Sequence, residues 1–110
     1  MKAEELNESK AAEILTWLGT TDLQFAELRG AMEMAEIRQK RARAAAYEGT
    51  EGTVAERSAE VELNENVQAA DDAYIAARVA FEKLKAQRER AETWFEMWRS
   101  LDATRRRVMV

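Results

Sequence analysis

The chain has 110 residues, 46% apolar and 35% charged, with a net charge of −4, four glycines and no proline. It has neither cysteine nor histidine, which excludes disulfides, thiolate chemistry, structural zinc sites, the Glu-x-x-His di-iron motif, Ser-His-Asp triads and Cys-His dyads. Alanine, glutamate and arginine dominate, β-branched residues are scattered singly and no run alternates with period 2, so the sequence predicts one all-α domain spanning 1–110.

Residues 1–9 are acidic and lack an apolar run, so they do not read as a signal peptide, and no stretch approaches the roughly 20 apolar residues of a membrane span. A cytoplasmic protein without a membrane partner is expected. The first helix is predicted over 2–18, with Leu6, Ala11, Ile14, Leu15 and Leu18 on one side and Glu4, Glu5, Glu8 and Glu13 on the other. Gly19-Thr20-Thr21-Asp22 joins a helix-ending glycine to N-cap candidates and predicts a corner or kink there.

A second helix is predicted over 22–47, with Phe25, Leu28, Met32, Ala35 and Ala42 at heptad spacing and Gln39 as a polar interruption. Gly30 inside it costs about 1 kcal/mol relative to alanine, or marks a close approach to a partner helix. The doubled triplet Glu48-Gly49-Thr50-Glu51-Gly52-Thr53 then breaks the periodicity. Its last threonine opens a capping box with Glu56, which sets a helix start at Val54. The glycines suggest a phosphate cradle, but Glu48, Glu51 and the missing Walker lysine favour a plain turn.

The third helix is predicted over 54–103, interrupted at most by fraying near Asn64 and Asn66, with a short basic tail over 104–110. Its strongest stretch runs over 67–101. Val67, Ala70, Tyr74, Ala77, Phe81, Leu84, Arg88, Ala91, Phe95 and Trp98 keep a 3-4 beat broken in character only by Arg88, which places them on one stripe. With nearly equal chain on either side of the loop, the expectation is a long antiparallel coiled-coil hairpin whose N-terminal arm is broken at Gly19. The alternative is a first helix folded back on the second. Phe25, Leu28, Met32, Val67, Tyr74, Phe81, Leu84 and Phe95 are the candidate core and oligomer seam.

If Tyr47 sits beside Val54, Arg38, Lys40, Arg41 and Arg43 face Glu56, Glu60, Glu62 and Glu65. Glu4, Glu5, Glu8 and Glu13 then face Lys83, Lys85, Arg88, Arg90 and Arg99. Such exposed pairs contribute at most about 1 kcal/mol each and choose register more than they stabilise. A seam rich in alanine makes a thin core, and Ala31, Met34, Ile37, Ala73, Ala80, Trp94 and Leu101 widen the apolar faces beyond one stripe. A homo-oligomer, most simply a dimer forming a four-helix bundle, is the expected cover.

The clusters Arg38–Arg43 and Lys83–Arg90 read as complements of the acidic segments rather than phosphate grips. Arg99, Arg105, Arg106 and Arg107 exceed what helix capping needs, and are either a solvated tail or a site for nucleic acid or an acidic partner. Trp94, Phe95, Met97 and Trp98 form the densest aromatic group. They are core, with Trp98 structural and Trp94 at the margin, or else a docking surface or stacking platform for single-stranded bases. Trp94, Trp98, Arg99, Arg105, Arg106 and Arg107 are therefore the candidate partner-binding residues. Paired carboxylates such as Asp71 with Asp72 and Glu60 with Glu62 point to different sides of a helix, and Ser9, Ser58 and Ser100 have no base near them, so no metal, cofactor or catalytic residue is expected.

Tyr47-Glu48-Gly49, Gly52-Thr53-Val54-Ala55-Glu56-Arg57 and Trp98-Arg99-Ser100-Leu101-Asp102-Ala103 followed by Arg105-Arg106 resemble small helical proteins encoded by tailed bacteriophages. In those proteins, often found among early genes for recombination and single-strand handling, a Lys/Arg/Ala-rich helix, a Gly-Ser/Thr-Val-x-Glu-Arg turn and an Arg-Ser-Leu-x-Ala ending recur. The resemblance implies a phage origin and the host bacterial cytoplasm. It leads to three expectations: a non-enzymatic adaptor of DNA recombination or single-stranded DNA handling, an inhibitor of a host defence or nuclease protein acting through the acidic 60–72 face, or a virion or assembly component. The expected partner is a phage or host protein, with direct nucleic-acid binding as the alternative.

Overall fold

The computed structural model describes residues 7–109, and these are helical apart from a loop and short joints, with no strand among them. Three helices follow in order: α1, Glu8–Glu48; α2, Val54–Glu62; and α3, Glu65–Met109. The predicted beginning of the first helix at 2–6, with Glu4, Glu5 and Leu6, lies outside the described residues, as does Val110. Helix α1 opens on Asn7, whose Oδ1 accepts from the Lys10 amide at 2.8 Å, satisfying one of the free donors of the first turn.

The corner expected at Gly19 does not form, because α1 passes through it unbroken. Thr20 and Thr21 do not act as the expected N-caps, because both hydroxyls donate backward: Thr20 to the Trp17 carbonyl at 2.9 Å, and Thr21 to those of Trp17 and Leu18 at 3.0 and 3.2 Å. Threonine in a helix interior makes this bond to the preceding turn, so its hydroxyl is satisfied without ending the helix. Gly19 then merely lacks a side chain; a Cβ added there meets nothing within 4 Å.

A break appears instead inside the predicted third helix, at Leu63 and Asn64. The Leu63 and Asn64 amides close α2 on the carbonyls of Glu60 and Val61, both at 3.1 Å. Asn64 Oδ1 then accepts from the amides of Asn66 at 2.8 Å and Val67 at 3.1 Å, which makes it the N-cap of α3. A short amide side chain that competes with the helical ladder accounts for the stop and the restart. At the other end α3 continues to Met109, so the expected tail is helical through Arg105, Arg106 and Arg107.

The chain divides into two compact units, Met1–Phe25 with Lys83–Val110, and Ala26–Glu82. In the first, Ala11, Ile14, Leu18, Thr21 and Phe25 of α1 and Leu84, Arg88, Ala91, Phe95 and Trp98 of α3 are all buried or half-buried. Arg88 meets Thr21 and Asp22 while Trp94 packs with Ala11, so these two segments run in opposite directions. In the second, Leu28, Met32, Ala35, Gln39 and Ala42 serve with Val67, Ala70, Tyr74, Ala77 and Phe81, again all buried or half-buried. Val67 is fully enclosed. The eight seam candidates thus all lie on covered stripes.

The register in the second unit differs from the one expected. Gln39 donates to Asp71 at 2.7 Å, whereas alignment of Tyr47 with Val54 places it near Glu62. The separate helix α2, nine residues long, displaces the pairing by about its own length. Tyr47 instead meets Arg57, whose guanidinium lies 3.9 Å from the centre of the tyrosine ring and donates to the Tyr47 carbonyl at 3.0 Å and the Thr50 hydroxyl at 2.9 Å. This clasp holds the Gly49–Thr53 loop, where Gly52 takes φ 115°, a conformation that glycine reaches without strain.

Candidate functional site

The candidate residues gather on the C-terminal part of α3, within the first unit. Trp94 is 3% exposed and forms a cluster with Ala11, against which Ile14, Phe95 and Trp98 pack. Phe95 and Trp98 have ring centroids 5.7 Å apart at 37°, within the range of favourable tilted aromatic pairs. Trp94, expected at the margin, is instead enclosed, while Trp98 packs against the cluster and is half-buried. The small Ala11 side chain leaves room for an indole, which draws Trp94 inward although it lies off the a/d stripe. Trp94 is thus unavailable as a stacking platform. Its Nε1 is buried without an acceptor among the described residues, a cost of about 1–3 kcal/mol for an unmade hydrogen bond.

Outside this cluster the helix is open. Met97 is 48% exposed and Leu101 38%, and they line a shallow concavity with Glu89, Glu92, Thr93, Glu96 and Ser100. Beside it, Trp98, Arg99, Asp102, Ala103 and Arg106 line a second, more polar hollow together with Glu96 and Ser100. Arg99 pairs with Glu96 at 3.3 Å and Arg106 with Asp102 at 2.9 Å, both along the same helix. Arg105 and Arg107 are exposed and have no ion pair among the described residues. The structure thus brings Trp98, Arg99, Arg105, Arg106 and Arg107 onto one helical segment and withdraws Trp94 from its surface.

Two arginines bind across between helices, one in each unit. In the first, Arg88 Nη1 donates to the Leu18 carbonyl at 2.8 Å and the Thr21 hydroxyl at 2.6 Å, while Nη2 donates to Asp22 at 2.6 Å. The guanidinium also lies 5.1 Å from the Phe25 ring centre, close enough for a cation–π attraction. In the second, Arg43 bonds Glu62 and, at 2.8 Å, Asp71. The hydrogen bond to Glu62 is the main cause holding the Arg43 pKa above its ordinary value; burial opposes it and the Asp71 charge reinforces it.

Arg43–Glu62 is the one cross-helix pair realised from the expected charge complement among the described residues. Lys40 bonds Glu36 on its own helix, Lys10 reaches Glu13, and Arg38 and Arg41 have no ion pair among the described residues. Long exposed side chains find neighbours three or four positions along their own helix at lower entropic cost. Among the described residues no group of acidic side chains is placed to hold a metal ion, and no helix is long and apolar enough to cross a membrane.

Fold and surface together define an all-helical protein with a cross-helix arginine in each unit and an exposed basic helix end. No protein-family model, curated protein or solved structure matches the chain.

Proposed function

We propose that this chain is a non-enzymatic interaction protein, encoded by a tailed phage and acting in the host cytoplasm as an adaptor of DNA recombination or single-strand handling. It folds as an antiparallel helical hairpin, pairs with a second copy, and engages a protein partner through α3 from Trp98 to Arg107. The observation that carries the reading is the helical continuation of α3 through Arg105, Arg106 and Arg107, with Arg105 and Arg107 uncommitted. A helix that presents fixed cations beside exposed Leu101 and Val108 offers an acidic, partly apolar partner both anchors and charge. Burial of Trp94 weighs against direct base stacking, which needs an accessible aromatic face.

Affinity capture of the full chain from infected cells tests this. A recombinase or a single-strand-binding protein is the expected partner. Recovery of a host defence or nuclease complex would favour inhibition through the acidic 60–72 face, where Glu60, Glu65 and Asp72 are exposed; recovery in capsid or tail fractions would make the chain a virion component.

A further inference from the structure

Two exposed faces each pair apolar side chains with charge, and their charges are opposite in sign. On α3, Met97 and Leu101 form an apolar floor with Glu89, Glu92 and Glu96 beside it. On α1, Met34 and Ile37 are 44% and 41% exposed. Arg38 and Arg41, also exposed, share their side of the helix, since residues 34, 37, 38 and 41 follow the i, i+3, i+4, i+7 spacing of one face. Glu96 pairs with Arg99 at 3.3 Å along its own helix, whereas Glu89, Glu92, Arg38 and Arg41 have no ion pair among the described residues, so each face keeps two charges that the chain leaves unmatched.

We propose that the Met34–Ile37–Arg38–Arg41 face of one copy seats on the Met97–Leu101 floor of a second copy, with its arginines against Glu89, Glu92 and Glu96. This rests on the self-pairing proposed above and assigns it a surface. Thioethers and branched aliphatic side chains fill the floor, and the flanking charges select the partner and its direction. Uncommitted opposite charges beside apolar groups identify the occupant as this chain itself: it carries both halves, and each half leaves large apolar side chains in water.

Sedimentation equilibrium at low ionic strength tests the assignment with two variants whose changes are all exposed, Arg38→Glu/Arg41→Glu and Glu92→Arg/Glu96→Arg. Each alone is expected to weaken self-association about ten-fold or more, because like charges then oppose across the contact. Mixing the two should restore a complex of near wild-type affinity, since each variant then meets its opposite sign. Circular dichroism checks that helicity is retained, and Arg38→Gln/Arg41→Gln serves if the reversal unfolds the chain. A wild-type dimer indifferent to both changes, or a mixture no tighter than either variant, overturns the assigned faces while leaving self-pairing intact. A wild-type chain that stays monomeric at every concentration overturns both. Loss of a captured basic helical partner on the acidic-side reversal, with the dimer unchanged, hands the floor to that partner and also overturns the proposal.

Discussion

Trp94 is the largest of the buried apolar side chains among the described residues. Its enclosure against Ala11 predicts that Trp94→Ala costs about 3–5 kcal/mol in chemical denaturation, the range for a buried aromatic lost to a cavity. Trp94→Phe should cost under about 1.5 kcal/mol, because it keeps most of the packing and removes the indole donor that has no acceptor among the described residues. Equal losses from the two changes would mean that the N–H is satisfied in solution. Arg88 is the complementary case. Its side chain is 14% exposed, but its partner Asp22 is 68% exposed and Thr21 keeps its bonds to Trp17 and Leu18, so Arg88→Leu leaves no stranded charge. The melting temperature of Arg88→Leu should equal or exceed that of the wild type, as when buried ion pairs are replaced by apolar residues. A marked fall would show that the arginine network contributes net stability rather than fixing the register. That Arg88 lies in the seam was legible from the heptad beat. What its guanidinium bonds was not, because Thr21 reads as a helix cap until its helix is known to continue.

For the helices, the decisive signal was phase rather than composition. Ala11, Ile14, Leu18, Thr21, Phe25, Leu28, Met32, Ala35, Gln39 and Ala42 keep one uninterrupted 3-4 beat through Gly19, and a corner would have reset it. Glycine and two cap-forming threonines are local signals that this phase overrides, while near Asn64, where only fraying is expected from sequence, the absence of glycine or proline conceals a full stop and restart. Gly19→Ala should therefore raise stability by up to about 1 kcal/mol, measured as a higher melting temperature, because the site is helical and open to a Cβ. A loss of similar size would restore the corner. The loop was read more successfully: the Thr53 hydroxyl accepts from the Glu56 amide at 3.2 Å, although the return bond of the capping box does not form. Thr53→Ala and Asn64→Ala should each cost about 1 kcal/mol through loss of an N-cap. An unchanged melting temperature in either variant would mean that its helix does not depend on that cap.

For the whole chain, composition alone made the all-helical class legible, while a partner surface was legible only as a cluster of residue types. Exposure then had to sort it: Trp94 fell to the interior, and the arginines joined a helix rather than a tail. This helix end is proposed above as the partner-binding surface. Its most direct test captures partners with wild-type chain and with Arg105→Ala/Arg106→Ala/Arg107→Ala in parallel, with helicity checked by circular dichroism. The variant is expected to keep its helicity and self-association but lose at least about nine-tenths of the captured partner, and wild-type capture to weaken as salt is raised. Capture of the same partner at wild-type level by the folded variant would contradict that proposal.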